Sequence, residues 1–163
     1  MIESIKHIMS GKEQLHALES EDKYVFHGSE NRTPDLNFLE PRQAYNTKDG
    51  IQEHDGDPAV FASSRADYAI MMALINNSNC PKGYRSSASS KQKENGELFL
   101  TLRTSKDSFL QLNDESFGYV YVFDKNLFQR KGSGVEYISK VTISPINKIK
   151  VMKSDLSSDI DIF

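Results

Sequence analysis

The chain has 163 residues, a net charge of −3 and 37% hydrophobic residues. Its negative charge argues against a general nucleic-acid-binding face, and no apolar run approaches the ~20 residues that span a bilayer. The single cysteine, Cys80, excludes an intrachain disulfide and a cysteine metal cage. The first ten residues lack the apolar core and cleavage site of a signal peptide, so the sequence predicts one cytoplasmic domain over residues 1–163.

The N-terminal segment predicts a helix that precedes the first strand. Ile2, Ile5, Ile8 and Met9 recur at helical spacing, and Gly11 is a plausible helix stop. Two leucines further on suggest another helical turn, so we expect an N-terminal helix within residues 2–18. A β-strand over residues 23–27 follows, and its last residue leads into a turn at Gly28-Ser29.

The next segment, residues 30–57, predicts mostly loop, because polar and turn-forming residues dominate it. Within it, His54 stands among aspartates, which is compatible with a metal site, but no further ligands recur at fixed spacing. A solvated turn is therefore favoured. A second short strand is expected at residues 59–62. Ser64 and Asp67 fit a capping box for a buried helix over residues 65–76.

The second half of the sequence predicts strands that mostly follow one another. Residues 78–95 are polar and serine-rich, which predicts a mobile surface loop. Apolar and β-branched runs then predict strands at 97–103, 119–123, 135–139, 141–145 and 149–152. The acidic tail, 154–163, is expected to fray. The result is an α+β fold with its core at about 23–152 and a buried helix after the second strand.

One carboxylate stands out inside a predicted strand. Glu136 lies in a run of β-forming residues after a glycine-rich loop, where an unpaired buried charge would be costly. On an alternating strand it shares a face with Ile138, while Val135 and Tyr137 point the other way. It therefore faces either solvent or a cleft, and its strand alone leaves both open.

Three short motifs together resemble a known family. They are Phe-His-Gly-Ser at 26–29, Val-Phe-Ala-Ser at 60–63 with the Ala-x-Tyr of the next helix, and Glu-Tyr-Ile-Ser at 136–139. In this order they resemble the ADP-ribosyltransferases, nearest the diphtheria-toxin and poly(ADP-ribose) polymerase branch with its His, Tyr, Glu signature. The resemblance runs from about Lys23 to Val151 and implies a split β-sheet core.

The resemblance implies NAD as the bound molecule and a set of residues that hold it. His27 would hydrogen-bond a ribose hydroxyl. The backbone of Gly28, a close-approach glycine, would hold the nicotinamide carboxamide with support from Ser29. Tyr68 would stack on the nicotinamide ring, and Ser63 belongs to the same NAD-binding set.

Glu136 is the catalytic residue that the resemblance implies. Its carboxylate would bond the nicotinamide ribose and stabilise the positive charge that develops as the glycosidic bond breaks. ADP-ribose would then pass to an acceptor, a protein or a nucleic acid that the sequence does not identify. No metal and no membrane partner are implied, and the oligomeric state is left open.

Two departures from the family pattern keep other functions open. The signature tyrosine would fall at Val60, which favours a catalytically silent binding module as the alternative. The RNA 2′-phosphotransferases also begin with a His-Gly strand but resemble this chain less, since a second histidine and a matching arginine set are missing. Arg42 is either a phosphate contact or a surface arginine.

Overall fold

A computed structural model describes residues 8–31 and 37–163, which form a mixed α+β structure dominated by antiparallel sheets. Among these residues, no helix has the length and apolar character needed to cross a membrane. The helices are α1 (Gly11–Ser20), α2 (Ala66–Leu74) and α3 (Lys106–Gln111). The strands are β1 (Tyr24–Ser29), β2 (Arg42–Lys48), β3 (Ile51–Ser63), β4 (Ser86–Gln92), β5 (Leu98–Thr104), β6 (Phe117–Asp124), β7 (Gln129–Arg130), β8 (Glu136–Ser139), β9 (Asn147–Met152) and β10 (Asp161–Ile162).

The larger sheet places β1 at its centre. Its order is β7-β8-β3-β1-β6-β9, with β2 paired to β3, and all its neighbouring strands are antiparallel. The smaller sheet has the order β10-β5-β4, in which β10 runs parallel to β5. The predicted strands at 23–27, 97–103, 119–123, 135–139 and 149–152 all correspond to strands of these sheets.

Helix α2 packs directly on the backbone of two central strands. A Cβ atom built on Gly28 of β1 would lie 2.0 Å from the carbonyl oxygen of Ala69, and one on Gly118 of β6 would lie 2.0 Å from that of Ala73. The helix buries Ile70 and other apolar side chains over this contact. These glycines therefore let the helix approach the sheet more closely than any other residue would allow.

The first helix begins where the sequence predicted a stop. Ser10 caps α1: its hydroxyl accepts from the Glu13 N–H at 3.1 Å, and the Glu13 carboxylate accepts from the Ser10 N–H at 3.3 Å. Gly11 is thus the first helical residue, so its prediction as a helix stop is wrong, because a capping box starts a helix. The helical turn expected at the two leucines, Leu15 and Leu18, lies within α1. Residues 1–7 lie outside the described part of the chain.

The expected capping box of α2 does not form. The N-cap is Arg65, without a side-chain cap, and Asp67 instead contacts the imidazole of His16 on α1 at 2.8 Å. The orphan N–H of Ala66 donates to the carboxylate of Glu19, also on α1, at 2.7 Å. The start of α2 is therefore capped by the neighbouring helix.

The loop predicted over residues 30–57 is wrong from Arg42 onward. From Arg42 onward the segment forms a hairpin of β2 and β3. Asp49 and Gly50 have φ values of 53° and 78°, the positive values that a two-residue type I′ turn requires. His54 lies in β3, edge-to-face with Tyr45, so the predicted solvated turn is wrong as well.

The predicted mobile loop at 78–95 contains strand β4, which pairs with β5 along its whole length. The tail is not frayed either: β10 pairs with β5, and the ring of Phe163 lies against the guanidinium groups of Arg85 and Arg103 at 5.3 and 4.7 Å. The strand expected at 141–145 is reduced to one bridge between Leu39 and Ile143.

Candidate functional site

The site begins where β1 and β3 separate. The two strands are in register at a single pair, Phe26 with Ser63. One residue further along β1, His27 spans the gap, and its Nδ1 lies 2.6 Å from the carbonyl oxygen of Phe61. The imidazole thus replaces the backbone ladder at this point and leaves the strand edges open to a cleft.

The hydrogen bond determines the tautomer of His27. Because a carbonyl oxygen can only accept, Nδ1 of His27 carries the proton and donates to Phe61. Burial lowers the pKa of His27 below its ordinary 6.5, a bond to the Phe61 backbone opposes this, and the charge of Arg42 lowers it further. The ring is therefore neutral near pH 7, and its Nε2 is a hydrogen-bond acceptor.

Glu136 lies on the same row of the sheet as the separation point. Phe26 on β1 pairs with Ser63 on β3, and Ser63 pairs with Glu136 on β8. The Glu136 side chain is half-buried. Within residues 8–31 and 37–163, no group hydrogen-bonds or forms an ion pair with its carboxylate. A half-buried carboxylate with no such protein partner is suited to meeting a positive charge or a hydroxyl from a ligand.

Tyr68 stands beside this carboxylate in the first turn of α2. Burial raises the pKa of the Tyr68 hydroxyl, and the negative charge of Glu136 raises it further. The phenol is therefore protonated across the physiological range. Ser63, at the end of β3, is fully buried. The Ser63 hydroxyl oxygen accepts from the N–H of Arg65 at 3.0 Å, so the hydroxyl proton of Ser63 can be donated to another group.

Three cavities surround these side chains. The inner cavity, of about 290 Å³, is lined by five of the six residues predicted to form the site: His27, Gly28, Ser63, Tyr68 and Glu136. The outer cavity, of about 570 Å³, shares His27, Gly28, Glu30 and Phe61 with it and adds Ser29 and Arg42. The polar cavity, of about 350 Å³, shares Tyr68 and Glu136 with the inner cavity and is otherwise lined largely by Ser89, Ser90, Ser133, Gln92 and Lys131.

Comparisons of the chain with family models, with curated proteins and with solved structures found no match.

The structure adds detail on two of the predicted site residues, Gly28 and Ser29, that the motif did not supply. The absence of a side chain at Gly28 is explained by the close approach of α2, whatever its backbone binds. Ser29 lines the outer cavity, away from Tyr68 and Glu136. The structure thus groups five residues around one cavity and Ser29 around the adjoining one.

The inner cavity also contains residues that the sequence did not indicate. Ala69, Met72 and Ile75 continue its wall along α2, and Tyr84 lies on it from the segment that precedes β4. Hydrophobic residues of a helix carry no signal for a ligand, since they are expected in any core. Tyr84 lies in a polar stretch that predicted loop, so its contact with a cavity depends on tertiary structure alone.

The acidic stretch around His54 does not gather into a metal site. Asp55 lies 3.6 Å from the ammonium group of Lys131, and Asp57 lies 3.3 Å from that of Lys140. In the described ranges, no group of three or more histidine, cysteine or carboxylate side chains is arranged to hold a metal ion. These aspartates form ion pairs on the surface of β3.

Proposed function

We propose that this protein binds NAD in the inner and outer cavities, cleaves its nicotinamide glycosidic bond, and passes ADP-ribose to an acceptor or to water. On this proposal its fold is ADP-ribosyltransferase-like. The observation that carries the proposal is the convergence of His27, Ser63, Tyr68 and Glu136 on one cavity from distant parts of the chain. His27 and Glu136 belong to the Phe-His-Gly-Ser and Glu-Tyr-Ile-Ser motifs, and Ser63 is the last residue of the Val-Phe-Ala-Ser motif.

The inner cavity fits a flat, polar ring attached to a ribose. Ligand cavities in proteins span about 300–1,000 Å³, and the inner and outer cavities, about 290 and 570 Å³, adjoin at His27. Tyr68 offers an aromatic face, and Ser63 offers a hydroxyl proton to an amide. A fixed carboxylate at Glu136 is positioned to oppose positive charge on a sugar, because it is half-buried and no described group neutralises it.

His27 supports the proposal through its tautomer. The bond to Phe61 fixes the proton on Nδ1, so Nε2 can accept a hydrogen bond from a ribose hydroxyl. A protonated imidazole could not accept such a bond. The burial that lowers the pKa of His27 therefore keeps it in the form that the proposed role needs.

The outer cavity supplies room for the rest of the dinucleotide. Arg42 lines it, and no described residue pairs with the Arg42 guanidinium. We propose that Arg42 meets the diphosphate, since a guanidinium binds phosphate oxygens in bidentate fashion. Two carboxylates, Glu30 and Glu40, line the same cavity, so the charged side chains of its lining are one cation and two anions. The polar cavity, which shares Tyr68 and Glu136 with the inner cavity, would admit the acceptor or water.

The test is nicotinamide release from NAD by the wild-type protein and by Glu136→Gln, with NAD binding measured by calorimetry in both. We expect release to fall by 10²-fold or more in the variant, as for loss of a major electrostatic contact, while NAD binding persists. Glu53→Gln, an exposed change on β3, is the matched control. Release that survives Glu136→Gln would refute the assigned role, and no NAD binding by the wild type would refute the function.

A silent binding module is the second candidate, and one observation favours it. Val60, at the position where the family has its signature tyrosine, is 3% exposed and packs with Val25 and Tyr121 on the face of the sheet away from α2. An apolar side chain there cannot donate a hydrogen bond to a ligand. On this alternative, calorimetry detects NAD binding and the wild type releases no nicotinamide.

A further inference from the structure

Strand β4 is the edge strand of the smaller sheet. In that sheet β5 lies between β10 and β4, and in the part of the chain that the structure describes β4 pairs with β5 alone. The pairing is regular along the whole strand, from Ser86 opposite Thr104 to Gln92 opposite Leu98. The other side of β4 therefore carries backbone groups that no strand of this sheet uses.

Two hydrogen bonds at the ends of β4 show which of its backbone groups face outward. The Ser105 N–H donates to the Arg85 carbonyl oxygen at 2.9 Å, and the Lys93 N–H donates to the Glu97 carbonyl oxygen at 2.8 Å. Hydrogen-bonded pairs alternate along an antiparallel ladder, so the odd-numbered residues between 85 and 93 bond to β5. The N–H and C=O groups of the even-numbered residues point away from β5, and no described residue bonds to them. These residues are Ser86, Ala88, Ser90 and Gln92.

The outward-facing residues of β4 also border the polar cavity. Ala88, Ser90 and Gln92 line it together with Glu136. Gly134, two residues before Glu136, lies close to β4, because a Cβ atom built on it would be 2.7 Å from the Ser90 hydroxyl oxygen. The unpaired edge of β4 therefore runs beside the cavity that contains the proposed catalytic carboxylate.

The other edge strands of the described chain have features that disfavour pairing with a further strand. Strands β7 and β10 have two residues each. The pairing of β2 is irregular between Arg42 and Ala44. Helix α1 begins against β9, where a Cβ atom built on Gly11 would lie 2.5 Å from the Lys150 carbonyl oxygen. Short strands, irregular pairing and covering elements are the usual protection of sheet edges. Strand β4 is longer and regular, and Lys91 is its single charged residue.

A row of alternating outward N–H and C=O groups is satisfied by an extended polypeptide that adds to the sheet as a strand. We propose that β4 binds an extended segment of an acceptor protein as an added antiparallel strand, and that this strand presents an acceptor side chain to Glu136. This inference rests on the proposed function and names a polypeptide as its acceptor. Residues directly opposite each other in an antiparallel pair project from the same face. A peptide residue opposite Ser90 thus projects towards the polar cavity.

The transfer that follows is a substitution at the nicotinamide ribose of NAD. The nucleophilic atom of the acceptor side chain forms a bond to the ribose carbon, and the bond from that carbon to the nicotinamide nitrogen breaks. The electron pair of the broken bond leaves with neutral nicotinamide, and any proton on the nucleophile passes to water.

A short peptide blocked at both termini is the probe. Its central residue is serine, glutamate or arginine, with glutamine on each side and valine two residues away on each side. We expect the wild-type protein to transfer ADP-ribose from NAD to at least one of these central residues, measured by mass spectrometry. Methylation of the two valine backbone nitrogens removes N–H groups that would face β4, and should lower kcat/KM for the peptide about 5- to 150-fold. Methylation of the two glutamine nitrogens beside the centre removes N–H groups that face away from β4, and should change it little.

The matching change in the protein is Ala88→Pro. Proline removes the outward N–H of Ala88 and puts a ring in its place, while the ladder to β5 keeps its hydrogen bonds. Transfer to the peptide should fall about 10-fold or more, with NAD affinity unchanged in calorimetry, because β4 lines neither the inner nor the outer cavity. Thr47→Pro is the control. Thr47 precedes the pair of Lys48 with Ile51 that closes the β2–β3 turn, so its N–H also points away from its partner strand.

Equal transfer to the two methylated peptides would overturn the inference and leave the proposed function standing. An equal loss of transfer in Thr47→Pro and Ala88→Pro would overturn it too. The same holds for nicotinamide release without transfer to any of the peptides, and for transfer to a single-stranded RNA oligomer in their place. The methylated peptides test the contact on the wild-type protein, so the test does not depend on the folding of Ala88→Pro. Absence of NAD binding by the wild type would overturn the proposed function as well.

Discussion

Replacing Gly28 by alanine separates two explanations for the absence of a side chain at this position. One is the close packing of α2, and the other is the close approach of a ligand. The added Cβ would lie 2.0 Å from the Ala69 carbonyl oxygen and 2.6 Å from the Ala73 backbone nitrogen, whereas ordinary contact begins at 3.4 Å. Both obstructions are helix backbone, which no rotamer change can move. Overpacking a core costs about 1–3 kcal/mol and occasionally more. We therefore expect Gly28→Ala to lower the free energy of unfolding by about 3 kcal/mol or more.

Urea denaturation measures this loss. With a slope of about 1–3 kcal/mol per molar urea, a loss of about 3 kcal/mol moves the midpoint by roughly 1–3 M. Gly118→Ala should lose as much, since its Cβ would lie 2.0 Å from the Ala73 carbonyl oxygen. Gly134→Ala should lose much less, because it meets only the rotatable Ser90 hydroxyl. A Gly28→Ala variant with a wild-type midpoint and impaired NAD binding would refute the packing explanation.

Two further predictions concern His27 and the cap of α2. Because the pKa of His27 is lowered from 6.5, the unfolded chain binds that proton more readily, and the stability that the neutral ring contributes is lost as the pH falls through 6.5. The urea midpoint should therefore fall between about pH 7.5 and about pH 5.5 by more for the wild type than for His27→Asn. An equal fall in the two proteins would contradict the role assigned to His27. Glu19→Ala leaves the Ala66 N–H without its 2.7 Å acceptor and should lower the free energy of unfolding by about 1 kcal/mol. The control Glu21→Ala, at an exposed position, should lower it little. Equal urea midpoints for the two variants would show that the cap is not stabilising.

The strands that the sequence predicted are those that bury apolar side chains. In strand β6, buried residues beneath α2 alternate with buried residues on the opposite face of the sheet. A strand buried on both faces has a short continuous apolar run in the sequence, and such a run predicts a strand. Strands β2 and β4 were missed because most of their side chains are exposed or polar. Their stability comes from backbone pairing with β3 and β5, which side-chain periodicity does not report.

Two local signals were present in the sequence but outweighed by others. Ser10 and Glu13 form the capping-box spacing that starts α1, yet Gly11 between them suggested a stop. Asp49-Gly50 is a strong hairpin pair, but the polar residues around it concealed the strands. For the candidate site, His27 and Glu136 were identifiable as polar residues on apolar strands, while Tyr84 had no comparable signal.

The central position of β1 has a consequence for synthesis of the chain. Tyr24 pairs with Asp124 of β6, about 100 residues further along. At about 5–20 residues per second, β1 waits roughly 5 to 20 s after leaving the ribosome before its partner strand emerges. During that interval Val25 and Phe26, fully buried in the finished sheet, have no partner on β6. Nascent chains of this protein should therefore depend on chaperones that hold apolar strands, until translation has passed residue 124.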